Sequence, residues 1–490
     1  MKLTRIAHAL MLAGGTLALA GCMVGPNFKS PDAPAEDKYT AEPLHTDAPN
    51  AQQLALGEAL GRDWWQLFQS PAIDDVVKRA LAGNQSLAAA ASNLEQAREL
   101  AAAQAGGRYP QVGLTAGIGR EKYGDQFLGT SPKPPIFTYF SVGATVSYTL
   151  DYTGGITRSV EQQTALADYQ RQQLRAAQLA VSGNAINQVL RIASAQAQIA
   201  TVEEILKQDR ENVNLVGQAF AAGAVSRVDT VSAQSQLASD SAELPPLRQE
   251  LAQARTALSV LLGQPPATAN LPDVTMTGIT LPQRLPVSLP SELAHRRPDI
   301  LAAEAQLHAA TAAVGVATAN LYPQITLSAT GGPQSTELAH LFDAGSNAFG
   351  LAGSLLAPIF DGGTLRARRR AAEAAMQAGA ANYKQTVLTA FGQVADALQA
   401  LQHDAEELDA QSHAQDAARE NADLTRRSYT EGNIGVLQVL DAQRVYERAR
   451  LGFVRAQAQR YTDTVQLFLA LGGAEPQAPA AQVADTKAAR

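Results

Sequence analysis

Residues 429–443 read Y-T-E-G-N-I-G-V-L-Q-V-L-D-A-Q and join two long helical patterns through a tight turn around Gly432 and Gly435. The stretch has a twin at residues 220–234, F-A-A-G-A-V-S-R-V-D-T-V-S-A-Q. Aligned without gaps, Gly223 faces Gly432, Val225 faces Ile434, Val228 faces Leu437, and Ala233-Gln234 faces Ala442-Gln443. The same turn at the same place in two halves predicts a duplicated chain whose two turns lie together at the end of long helices.

Outward from the turns, the helical pattern is long. Val160, Ala167, Leu174 and Val181 recur every seven residues, as do Ile192, Ile199, Leu206, Val213 and Phe220. The step from Val181 to Ile192 is a four-residue stutter that locally relaxes a supercoil. A helix from 155 to 222 at about 1.5 Å per residue would run about 100 Å, beyond any compact domain of this size. Val387, Val394, Leu401 and Leu408 mark its counterpart in the second half. Each long pattern returns, to Leu262-Gly263 and to Leu471-Gly472, and Pro245-Pro246 must interrupt the first return.

Upstream of each long helix the period changes from 3.6 to 2. Val112, Leu114, Ala116 and Ile118 alternate with small or polar residues, and so do Val142, Ala144, Val146, Tyr148 and Leu150. In the second half Ile325, Leu327 and Ala329 alternate, and Phe349, Leu351, Leu355 and Ile359 form the apolar face of a fourth strand. Strands with one oily and one small polar face suit a barrel wall between lipid and water; an ordinary half-buried hairpin has the same pattern. The helices before the strands are expected from about 71 to 105 and from about 291 to 320. The organisation read from these patterns is a signal segment 1–21, an extended leader 22–62 and a first repeat 63–263. A Pro-rich linker 264–290, a second repeat 291–473 and a disordered tail 474–490 complete it.

Composition agrees. The 490-residue chain has only 5% aromatic residues, which suits long helices packed through small side chains. A net charge of -7 gives no basic footprint for nucleic acid. Lys2 and Arg5 precede an apolar run ending Leu19-Ala20-Gly21 before Cys22, the only cysteine. This is a secretory signal, and L-A-G-C resembles the bacterial lipobox, implying a lipid-modified Cys22 at the mature N-terminus. Met23 in place of an aspartate implies the outer membrane as destination.

Four strands cannot close a membrane barrel, and an open edge is intolerable in lipid, so the barrel must be shared between chains. Here the chain resembles the TolC-like outer membrane factors, of the OprM/NodT lipoprotein branch. The ordered set G-C-M-V-G-P-N-F, D-W-W-Q-L-F-Q-S-P, R-R-P-D-I-L-A-A-E-A-Q-L-H-A-A, L-Y-P-Q-I-T-L-S-A-T-G-G and A-P-I-F-D-G-G carries the resemblance, with the paired turns. It implies a membrane α+β fold: a homotrimer with a shared 12-stranded outer-membrane β-barrel and a long periplasmic α-helical barrel. It implies the exit duct of a tripartite efflux pump, with a periplasmic adaptor and an inner-membrane transporter of the resistance-nodulation-division (RND) type as partners. It also implies a gate at the turns: Tyr429 matches the family's gate tyrosine and Asp229 the aspartate on the neighbouring turn, while Ile434 stands where the family has an arginine. Of an acidic aperture ring, Asp441 keeps one member and Gln438 replaces the other. Adaptor docking is expected at Gly223, Ala224, Val225 and Ser226 and at Gly432, Asn433, Ile434 and Gly435. Asp229 and Asp441 as plain solvated residues beside turns is the competing reading.

No catalytic or cofactor-binding motif is present, and the seven His are scattered without ligand spacing. The chain is read as no enzyme, with no metal and no cofactor beyond lipid on Cys22. A duct for type I protein secretion shares the fold and remains an alternative. A non-transporting, periplasm-spanning coiled-coil lipoprotein fits the alternating strands poorly.

Overall fold

The structure is a computed structural model that describes residues 23–32, 36, 38–41, 51–122 and 136–473. Cys22, the signal segment 1–21, the tail 474–490 and most of the first interstrand loop lie outside these residues. Two compact units form, and each draws on both halves of the chain.

The first unit comprises residues 1–31, 93–171 and 302–383. Its centre is one antiparallel sheet of β2 (Gln111–Glu121), β3 (Phe137–Leu150), β5 (Gln324–Ser335) and β6 (Asn347–Leu356), in the order β2-β3-β5-β6. The numbering leaves β1 (Gln53–Leu56) and β4 (Arg284–Val287) to the second unit. Strand partners share a face of a sheet, and the register decides what each face carries. Leu114 pairs with Ala144, Val146 with Ala329, Ala329 with Leu351, and Ile325 with Leu355. Thr115 pairs with Gly143, Ser147 with Ser328, and Thr326 with Ser354 on the other face. The apolar face is bare: Leu114, Phe349 and Leu351 are 80%, 84% and 78% exposed. The fourth strand ends at Leu356, so Ile359, expected on its apolar face, lies beyond it.

Each strand pair feeds a 67-residue helix, α3 (Gly155–Ala221) and α8 (Thr364–Thr430). The corners are capped alike. Asp151 accepts the backbone N–H of Ile156 and Thr157, each at 2.8 Å. Asp361 accepts those of Gly363 at 2.8 Å and Leu365 at 2.7 Å. Both carboxylates satisfy N–H groups that the helix itself leaves free.

The second unit comprises 32–92, 172–301 and 384–490. The returns are α4 (Arg227–Ser241) with α5 (Leu244–Leu261), and α9 (Val436–Ala470). Pro245 and Pro246 sit in the first turn of α5, where Pro is tolerated, so the expected interruption falls at residues 242–243. Gly183 of α3 faces Leu469 of α9, and a Cβ there would meet the leucine side chain at 2.5 Å. A side chain at 183 would displace the Leu469 side chain from this contact.

Three expectations are corrected. The helix expected over 71–105 is two, α1 (Pro71–Gly83) and α2 (Gln85–Gly106), and that over 291–320 is α6 (Pro290–Ala294) and α7 (Pro298–Ala319). The breaks fall at Asn84 and at residues 295–297, and the side chains of Asn84 and Arg297 bond to other elements. The third correction joins leader and linker: β1 and β4 pair in parallel, Gln53 opposite Arg284 and Leu56 opposite Val287. Leu285 and Val287 are fully buried, so the leader adds a strand to the second unit.

Candidate gate and docking site

The structure brings the two turns together. Val216 of α3, Ala233 of α4 and Val436 of α9 form one buried apolar cluster, with Val213, Val225, Tyr429 and Leu440 packed against it. Both long helices stop in the same way. Gly223 adopts φ +76° and Gly432 φ +79°, a left-handed conformation costly for residues with a Cβ. Gly223 N–H donates to Phe220 O and Ala224 N–H to Ala219 O; Gly432 N–H donates to Tyr429 O and Asn433 N–H to Ser428 O. This paired pattern satisfies the last carbonyls of each helix.

The starts of the return helices differ. Asp229 Oδ2 accepts the Ser226 backbone N–H and hydroxyl, both at 2.8 Å, while Ser226 Oγ accepts the Asp229 N–H. These bonds, from the Ser226 hydroxyl and then its backbone, hold the Asp229 carboxyl below its ordinary range. At the matching position of α9 the cap is Gly435 and the third residue is Gln438, with no side-chain cap bond.

Within one chain, then, Asp229 and Tyr429 are not joined: the carboxylate serves its own helix and the tyrosine ring packs in the apolar cluster. Asp441 is ion-paired with Arg444 on the next turn of α9. Gly223, Ala224, Ser226, Gly432, Asn433 and Gly435 are exposed, while Val225 and Ile434 are half-buried. Asn433 donates to Glu431 at 3.1 Å.

Sequence reasoning missed the polar layer behind the cluster. Gln443 is buried; its amide accepts from Asn212 at 3.2 Å and donates to Gln208 at 3.0 Å. It had been visible as half of the repeated Ala-Gln pair. Also missed, against the expectation of no metal site, was the convergence of Asp209, Asp240 and Glu447 from α3, α4 and α9. Their spacing in sequence gives no hint of it.

In the first unit the leader is held where the strands end. Val24 N–H donates to Thr153 O at 3.0 Å, and a Cβ on Gly154 would meet the Met23 side chain at 2.7 Å. Gly25, at φ +89°, lies against Gly315. Arg158, only 1% exposed, donates to Asn27 Oδ1 at 2.6 Å and to Glu161 at 2.7 Å. Glu161 in turn meets His308 at 2.9 Å, on which the Phe28 ring stacks. The described part of the marker run, M-V-G-P-N-F at 23–28, is therefore a fitted strap beside the strand-to-helix corner.

The profile of the family described as "Outer membrane efflux protein" matches residues 76–264 and 289–473. The solvent efflux pump outer membrane protein SrpC of Pseudomonas putida is 31% identical over 459 residues, 93% of this chain and 96% of its own. The solved outer-membrane channel OprN superposes with a TM-score of 0.83 at 30% identity, covering 92% of this chain and 99% of its own. The MtrE outer membrane channel of Neisseria gonorrhoeae, solved in an open state, gives 0.80 at 27% identity, covering 92% and 98%.

Proposed function

The chain belongs to the outer membrane efflux protein family and is an efflux duct of the outer membrane, and from this membership we propose that it works as a passive homotrimeric channel in a tripartite pump. The observation that carries the reading is the register-sorted sheet. One face is continuously apolar and bare, the other small and polar, and β2 and β6 are open edges. Open edges are not tolerated in lipid, and about eight strands is the smallest membrane barrel. Three chains supply twelve strands. Cys22 then carries the lipid anchor, and the strap that follows it in sequence, 23–28, lies at the corner where β3 leaves the bilayer. A periplasmic adaptor and an inner-membrane RND-type transporter complete the pump.

The gate is proposed at the two turns. Because Asp229 serves its own helix cap and Ile434 replaces the family's arginine, closure rests on apolar packing around Tyr429 rather than on an ion pair. In planar bilayers the purified wild type is expected to show a small, cation-selective conductance, with Asp441 contributing to selectivity. Tyr429→Ala widens it several-fold, and Asp229→Asn changes it little. A wide, ungated wild-type pore, or opening by the Asp229 variant alone, overturns this gate.

The exposed turns are the proposed adaptor contacts, and Gly432 separates docking from folding. Asparagine tolerates φ near +79° yet adds a side chain to the open surface. Gly432→Asn is therefore expected to leave protein level and thermal stability near wild type while export, read as drug susceptibility of the host, falls. Normal export in that variant would sink the docking assignment.

A further inference from the structure

Asp209 of α3, Asp240 of α4 and Glu447 of α9 each aim a carboxylate oxygen at one point, with all three ligand atoms within 4.8 Å of one another. Asp209 and Glu447 are 2% and 4% exposed, and Asp209 Oδ2 and Glu447 Oε1 have no hydrogen-bond partner. Among the described residues no Lys or Arg pairs with any of the three. The donors that reach the group are amides, Gln236 Nε2 to Asp240 Oδ2 at 2.6 Å and the Gln443 side chain to Glu447, while Asp209 and Asp240 hydrogen-bond to each other. Buried acids with so few donors and no cation are costly. The strain falls on the protons too: burial first, then the neighbouring Asp240, pushes Asp209 up to about 7, and burial with Asp209 and Asp240 pushes Glu447 up to about 8.

Packing does not require acids at this level. The two halves align at the turns with an offset of 209, Gly223 on Gly432. Carried through that offset, Asp209 falls on Ala418, Asp240 on Ala449 and Glu447 on Ala238. The equivalent positions are three alanines, so the three carboxylates, two from the first half and Glu447 from the second, are gathered in one place for a reason other than filling space.

We propose that Asp209, Asp240 and Glu447 form a binding site for a hard divalent cation, calcium. Oxygen ligands on opposite sides of a calcium ion lie about 5 Å apart, from bonds of about 2.3–2.6 Å, so one ion can touch all three carboxylates at the observed separations. Magnesium, at about 2.0–2.1 Å, draws its ligands closer and holds its water more firmly. All-oxygen donors exclude the softer metals that select sulfur or imidazole. The ion has a route in and room for water: Asp240 and Glu447 also line a cavity of about 760 Å³ between α3, α4 and α9. Bound there, it ties the three helices together behind the turns and neutralises a group that otherwise repels itself.

The test uses purified full-length protein in detergent, stripped with chelator and then dialysed against radioactive calcium. The wild type retains one calcium per chain, and its Tm rises with calcium and falls with chelator. Glu447→Gln lowers affinity at least tenfold. The triple variant Asp209→Ala, Asp240→Ala, Glu447→Ala carries the alanines found at the repeat-equivalent positions 418, 449 and 238 and so uses residues this fold already tolerates there; it retains no calcium, and its Tm ignores both calcium and chelator. Failure of the wild type to retain calcium overturns the proposal, as does equal retention by the triple variant. Equal retention of magnesium by the wild type overturns the assignment to calcium.

Discussion

Leu351→Arg removes most of the assembled protein from the outer membrane, whereas Ser328→Arg leaves its level close to wild type. Leu351 is the midpoint of β6, 78% exposed, and lies on the face shared with Ala329 and Val146. Ser328 pairs with Ser147 and Ala352 on the opposite face. An arginine on the lipid side near mid-bilayer costs about 2–4 kcal/mol, and a shared barrel incurs it once per chain. On the water side the same side chain reaches solvent and is expected to alter conductance rather than assembly. The measurement is the yield of oligomer from outer-membrane fractions. Equal loss in both variants would contradict the assignment of faces; equal tolerance would contradict a lipid-facing wall altogether.

Much of this wall was legible because a period of two names the face before the partner is known. The long helices were legible for a similar reason: heptads at Val160 and at Val387 persist too far for a compact domain. The turns were legible because Gly223 and Gly432 take a conformation that side chains resist, and the duplication shows each twice. The helix breaks at Asn84 and at 295–297 are marked locally, by Gly83-Asn84, whose Oδ1 accepts the Ser86 and Leu87 N–H groups, and by Pro298 at the start of α7; the helical pattern continues past both and hides them. The rest of what escaped needs geometry. The pairing of β1 with β4 joins residues more than two hundred apart. Asp229 is read from the resemblance as the gate aspartate on the neighbouring turn, and the hold that Ser226 keeps on its carboxylate within the chain is visible only in geometry. The acidic triad needed three helices in place before its members met.

Arg297→Ala is expected to cost about 2–4 kcal/mol, from loss of charge-assisted bonds and buried groups left without partners. Arg297 is 7% exposed, within the marker run R-R-P-D-I. Its Nη1 donates to the Ala470 carbonyl at 2.8 Å, its Nη2 to Gln393, and its Nε to Asp299 at 2.8 Å. Ala470 is the last residue of α9, so the guanidinium satisfies a carbonyl that the helix itself leaves free. The first half solves the same problem with a smaller group. Asn84 donates to the carbonyl of Leu261, the last residue of α5, at 3.0 Å. Leu261 and Ala470 are 209 apart, the offset of the turns, and Asn84 and Arg297 occupy the matching breaks of the two short helical segments. The duplicated chain thus keeps one device, a side chain at the helix break that caps the returning helix, and the second half has enlarged it to reach α8 and Asp299 as well. Asn84→Ala loses that bond and also the N-cap of α2, where Asn84 Oδ1 accepts the Ser86 and Leu87 N–H groups, and should cost about 2 kcal/mol, the lower end of the Arg297 range. Arg297→Lys should fall between wild type and Arg297→Ala, since an ammonium keeps the charge but not the fork that serves several acceptors at once. Thermal unfolding of the purified protein orders the three variants. An Arg297→Ala protein as stable as wild type would mean that the bonds of Arg297 contribute nothing, and that the run R-R-P-D-I is held in this chain for some purpose other than joining these helices.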